Sequence, residues 1–156
     1  MEDKSYEGLK AEALNDGIRR YSVRLLIPYT SRYSVDFLAL KKPNNEFEMP
    51  GGRVRNGESL EVAAVREAGE ETGLGVKVEE FLRYRDLSAK DGAPVREFFF
   101  RVKPYSNGNG IKTGVSIDSR EHLSYEWISL DDLKDYKMNA SEKRLAKSIL
   151  DYRKTG

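Results

Sequence analysis

The stretch Gly52–Leu74, G-R-V-R-N-G-E-S-L-E-V-A-A-V-R-E-A-G-E-E-T-G-L, constrains this chain more than any other. Leu60, Ala63, Ala64, Glu67 and Glu71 recur at i, i+3 and i+4, which predicts a helix from Ser59 to Thr72 with these residues on one face. Ser59 suits the N-cap, Glu58 and Glu61 suit the positive end of the helix dipole, and Gly73 suits the left-handed residue that ends the helix. Gly69 is costly inside a helix, by about 1 kcal/mol relative to Ala, and close packing is the expected reason for it.

The same helix brings Glu67, Glu70 and Glu71 within one turn. Like charges at i, i+4 repel by a few tenths of a kcal/mol. Arg66 can pair with Glu70 at i+4, whereas Glu67 and Glu71 have no cation at helical spacing. A lone Glu is ordinarily a solvated surface acid, but acids that continue an apolar stripe face the core. A hard divalent cation resolves the conflict. Mg²⁺ suits it, since it takes oxygen ligands and keeps waters and phosphate oxygens in its shell.

The stretch resembles the signature box of the Nudix hydrolase family, G-x5-E-x7-R-E-U-x-E-E-x-G-U with U aliphatic. Gly52, Glu58, Arg66, Glu67, Glu70, Glu71, Gly73 and Leu74 match in register, and Ala68 fills the first U position with a smaller residue. The resemblance implies a Nudix-type α/β/α sandwich, α+β in class, with a central mixed sheet. It implies hydrolysis of a diphosphate bond in a nucleoside di- or triphosphate linked to a further group X, with Mg²⁺, or Mn²⁺ in its place. It makes Glu67, Glu70, Glu71 and the carbonyl of Gly51 metal ligands, with Glu70 alternatively the general base. Arg66 then steadies a box carboxylate, Glu70 or Glu58, and Glu58 is structural at the helix start, with a second-metal role as the alternative. A non-hydrolytic ligand-sensing or regulatory Nudix domain is the alternative, and the complete set of box acids favours the hydrolase. An isoprenoid diphosphate isomerase would need a cysteine, and the chain has none.

Composition narrows the rest. At 156 residues, with 34% charged and 38% hydrophobic residues, the chain reads as one globular domain over 1–156, with 1–17 an N-terminal extension or helix. The net charge of +1 includes no basic block that would suggest nucleic acid or a membrane surface. Without cysteine there is no disulfide or thiolate metal site, and one histidine argues against a histidine-rich centre. No transmembrane or signal segment is read, and a cytoplasmic location and a small nucleotide as partner are expected. Homodimerisation, common among relatives in the family, is open.

In chain order, Tyr6, Leu9 and Ala13 suggest a helix ended by Gly17. Strands are expected at Tyr21–Pro28 and Ser34–Leu40, which could form a hairpin, and a short one at Glu46–Met49 feeds Pro50-Gly51-Gly52. Those glycines allow close backbone approach or positive φ. Arg53 and Arg55 follow on the loop, where arginines are ordinarily solvated, the alternative being contact with substrate phosphates. Strands at Val76–Leu87 and Val95–Val102 flank an Asp91-Gly92 turn, with Phe98–Phe100 as core and Tyr84 either core or stacking platform. Lys103–Gly114 reads as a loose loop, a candidate lid; its Gly110-Ile111-Lys112-Thr113 fails the phosphate-loop template. Ser119–Leu130 contains the strand Tyr125–Ile128, and the loop before it matches the family's further metal-binding acid at Glu121. His122 reads as a plain surface residue. Ser129 with Asp132, and Asn139 with Glu142, are capping boxes; the second starts a helix that buries Leu145, Ile149 and Tyr152.

Group X is less constrained. Ala89 stands where the ADP-ribose subfamily carries its proline, and Asp91 and Gly92 where the dinucleoside polyphosphate subfamily carries its tyrosine. The resemblance thus leans toward a nucleoside triphosphate or an unassigned nucleotide diphosphate.

Overall fold

The computed structural model describes residues 4–105 and 114–155. Helix α1 (Lys4–Asn15) ends at Gly17, whose φ of 83° is left-handed. Strands β1 (Arg20–Leu26), β2 (Pro28–Thr30), β3 (Val35–Lys41), β4 (Phe47–Glu48) and β5 (Gly51–Arg53) lead into α2 (Leu60–Thr72). Strands β6 (Val76–Ser88), β7 (Pro94–Pro104) and β8 (Ser124–Ser129), a 3-10 turn (Leu130–Asp135) and α3 (Ala140–Thr155) complete the order.

The strands form two sheets. One, in the order β5-β1-β7-β6, is mixed: β1 runs parallel to β7, and the other pairs are antiparallel. The other is antiparallel, with β3 paired to β2, β4 and β8. The expected strand Tyr21–Pro28 is divided. Pro28 has no N–H to continue the ladder, and the chain changes sheet there, so the hairpin joins β2 to β3 rather than β1 to β3.

Alternation along β7 builds the layers. Phe98 and Phe100 point into a core shared with α1 and α2, beside Val23, Leu25, Leu60, Ala63 and Ala64. Phe99 points the other way, into a core with Phe37, Ile128, Leu145, Ala146 and Leu150 under α3. This is the expected α/β/α sandwich with a mixed sheet at its centre. On α1, Ala13 is fully buried, Tyr6 packs edge-on to Phe100 with ring centroids 5.2 Å apart, and Leu14 is exposed. Tyr84 is half-exposed, with the Arg96 guanidinium 4.0 Å from its ring centroid.

The caps of α2 are as expected. The Ser59 hydroxyl accepts from the Val62 N–H, and Gly73 adopts φ 72°. Gly69 is not a packing glycine, because a Cβ there would meet nothing within 4 Å. On α3, Asn139 accepts from the Ser141 and Glu142 N–H groups, but Glu142 does not return the bond. Its carboxylate accepts instead from the Met49 N–H at 2.8 Å, across the domain. The side chain of Tyr152 and the centre of the candidate lid, 106–113, lie outside the described residues. Among the described residues no helix is long and apolar enough to cross a membrane.

Candidate active site

Helix α2 packs its acid-bearing end against β5 and β1, and this places the acids. A Cβ on Gly51 would overlap the Val23 carbonyl and lie 2.9 Å from the Arg24 Cα, so β5 pairs with β1 only with glycine there. A Cβ on Gly52 would overlap the Glu67 carboxylate, 2.6 Å from its Cδ. Both glycines serve close approach, and neither has positive φ. The Gly51 N–H is thereby free to donate to Glu71 Oε1 at 2.8 Å.

Glu67 and Glu71 are only 8% and 7% exposed, facing inward as the periodicity requires. Burial pushes both carboxyls up. For Glu67 the Arg66 guanidinium opposes that rise. For Glu71 burial outweighs the Gly51 N–H bond and the nearby His122, raising it to about 7. Glu70 is half-exposed at the rim, between Arg66 (3.1 Å) and Arg55 (3.4 Å).

Arg66 does more than the sequence suggested. Its Nε and Nη2 donate to Glu58 at 2.6 and 2.9 Å, and Nη1 donates to both Glu67 and Glu70 at 3.1 Å. Nη2 also holds the Arg53 carbonyl at 2.9 Å. Glu67 therefore does have a cation, its neighbour in sequence. Glu58 is fixed at the helix start; the Arg66 hydrogen bonds hold its carboxyl down at about 2, and it also accepts from the Arg55 N–H at 2.9 Å.

His122 is not a surface residue. It is 3% exposed, and its Nε2 lies 2.9 Å from Glu48 Oε2, a contact that raises its pKa. Candidate ligand atoms of Glu71, Glu121 and His122 all lie within 4.8 Å of one another. The His122 Nδ1 is buried without a hydrogen-bond partner, an orphan polar atom that a metal or a bound water would satisfy. The carboxylate oxygens suit Mg²⁺ or Mn²⁺, whereas an imidazole nitrogen suits a softer transition ion, so of these two the mixed set fits Mn²⁺ better. The only sequence signal for His122 was adjacency to Glu121.

All these groups line one open cleft of ≈ 670 Å³: Gly51, Glu67, Glu70, Glu71, Glu121 and His122, with Lys42, Arg53, Arg55 and Arg66. A buried network props its floor. Arg24 donates to Glu97 at 3.1 Å and to the Met49 carbonyl at 2.7 Å, and Glu97 also accepts from Arg85 at 2.8 Å. Burial pulls the Arg24 pKa down, but Glu97, Glu48 and Glu142 more than reverse it and keep the guanidinium charged.

The cleft thus combines a basic rim, buried carboxylates and a glycine turn, a donor set with which a divalent cation and an anionic ligand would be compatible. The chain belongs to the Nudix hydrolase family: residues 20–149 match the NUDIX domain model. It is 33% identical over 123 residues to a Caenorhabditis elegans protein named as a nudix hydrolase, covering 76% of this chain and 31% of that one. It is 33% identical over 88 residues to an 8-oxo-dGTP diphosphatase of Buchnera aphidicola, covering 56% of this chain and 59% of that one. The chain thus spans about a third and three-fifths of the lengths of these curated relatives. The fold resembles a C. elegans Ap4A hydrolase binary complex, with TM-score 0.69, 22% identity, and coverage of 88% of this chain and 100% of that one. It also resembles a MutT protein from Methanosarcina mazei, with TM-score 0.66, 22% identity, and coverage of 86% and 95%.

Proposed function

We propose that the chain, as a single Nudix domain extended by α1, hydrolyses a diphosphate bond in a nucleoside di- or triphosphate linked to a group X. The observation that carries this is Glu71. It is a buried carboxylate tied to the Gly51 N–H, next to Glu67, Glu121 and an unsatisfied imidazole nitrogen, and open to a cleft with a basic rim. Glu67, Glu70, Glu71, Glu121 and the Gly51 carbonyl would hold Mg²⁺ or Mn²⁺, with His122 a further candidate ligand. The metal, when bound, neutralises phosphate charge and lowers the pKa of a coordinated water.

The chain's own groups do the rest. Lys42, Arg53 and Arg55 line the cleft where an anionic phosphate chain would lie and offset its charge. A water oxygen bonds to phosphorus, the bridging P–O bond breaks, and a box carboxylate takes the water's proton. Glu70 would take that role or ligate the metal, and its half-exposed position at the rim supports this reading. Arg66 is a positioning residue, fixing Glu58, Glu67 and Glu70 together.

The test is a substrate panel with Mg²⁺, covering standard and oxidised nucleoside triphosphates, ADP-ribose, sugar nucleotides, dinucleoside polyphosphates and coenzyme A. Glu71→Gln should cut kcat by two or more orders of magnitude with the fold intact by circular dichroism. Activity within threefold of wild type would remove Glu71 from the mechanism. A silent panel from protein that still binds Mg²⁺ would favour the ligand-sensing reading.

A further inference from the structure

A second cleft, of ≈ 480 Å³, lies between α1, the start of β1, the loop after β5 and the β6–β7 turn. Its cations are Lys10, Arg19, Arg20, Arg53 and Arg55, and the acid among its lining residues is Asp91. Five cations against one acid is a strong local excess in a chain whose net charge is +1.

Their engagements differ. Lys10 Nζ donates to the Glu58 carbonyl at 2.8 Å and sits 5.5 Å from the Tyr21 ring centroid. Arg20 forks onto Asp91 at 2.9 and 3.0 Å. Among the described residues the Arg55 guanidinium reaches Glu70 alone, at 3.4 Å. Among the described residues the guanidiniums of Arg19 and Arg53 have no hydrogen bond or ion pair. The end of β5 and the loop after it, which carry Arg53 and Arg55, are nevertheless held, by Arg66 on the Arg53 carbonyl and by Glu58 on the Arg55 N–H. Arg53 and Arg55 line both this cleft and the acidic one, so the two adjoin along that loop.

We propose that this cleft receives phosphate groups carried by X. The substrate is then a nucleotide whose X is itself phosphorylated, not one whose X is an uncharged sugar. This rests on the hydrolase reading above. Guanidinium forks match phosphate oxygens bidentately, the volume suits a small-molecule group, and an uncharged sugar would leave Arg19, which lines this cleft and not the acidic one, without an ionic partner. Helix α1, outside the matched residues 20–149, contributes Lys10 to the wall.

Two measurements test it. In the first, inorganic tripolyphosphate is titrated into metal-free Glu71→Gln protein by calorimetry. Arg19→Glu should weaken binding about tenfold or more and Arg19→Gln by less, while Arg32→Glu, on the exposed β2–β3 turn, should leave it unchanged. No binding, no effect of Arg19→Glu, or an equal effect of Arg32→Glu overturns the proposal. In the second, Arg19→Glu should raise KM for diadenosine tetraphosphate while leaving any turnover of ADP-ribose unchanged. An equal change for both substrates overturns it. The two readings fail separately. Tripolyphosphate binding that depends on Arg19, with a silent substrate panel, keeps the cleft and removes the hydrolase. Turnover that depends on Glu71, with no Arg19 effect, keeps the hydrolase and removes the cleft.

Discussion

Burial lifts the Glu71 carboxyl from an ordinary 4.5 to about 7. Between those values the folded chain holds a proton that the unfolded chain has released. The Glu71 contribution to stability therefore falls as pH rises through that window, and its full cost remains above it. In chelator, wild-type Tm should drop from pH 5 to pH 8, and Glu71→Gln, which keeps an acceptor for the Gly51 N–H, should flatten the drop. A variant that melts with the same pH slope as wild type would contradict this. His122 makes a second residue-scale prediction. If Nδ1 completes the metal site while Nε2 is oriented by Glu48, His122→Ala should weaken Mn²⁺ binding roughly 10–100-fold by calorimetry. The inward acids were legible in the sequence because i, i+3, i+4 spacing fixes a helix face. His122 was not, because its orienting partner Glu48 is 74 positions away in the chain.

At the scale of elements, α2 was readable nearly to the residue, since its caps are local: a Ser59 hydroxyl at one end and a left-handed Gly73 at the other. The division of β1 from β2 was not, since a change of sheet at Pro28 depends on which strands pair, and β1 pairs with β7 in the second half of the chain. Gly69 also reads differently in three dimensions. It faces open space, so it lacks the packing role its helical position suggested. Gly69→Ala should stabilise the fold by about 0.5–1 kcal/mol, read as a higher urea midpoint at unchanged m-value. A loss of stability would show that the glycine serves a constraint its surroundings do not reveal.

For the whole molecule, Glu142 ties α3 to the glycine turn. It is 3% exposed, bonds the Met49 N–H, and neighbours Arg24 and Arg85. Glu142→Ala would strip a buried N–H of its acceptor and should cost about 1–3 kcal/mol in urea denaturation. A change under half a kcal/mol would mean that water replaces the carboxylate freely. The sandwich itself was legible from the order of elements and the box, whereas this strut was not, because its role as a cap partner competed with a contact 93 residues away. The facing of Phe98, Phe99 and Phe100 carries the last consequence. Neighbours along one backbone fill the cores on both sides of β7, so neither layer can melt while the other keeps its packing. The helix that carries the box acids and the helix that braces the turn then stand or fall as one cooperative unit, and loosening the face remote from the cleft would be felt at the chemistry.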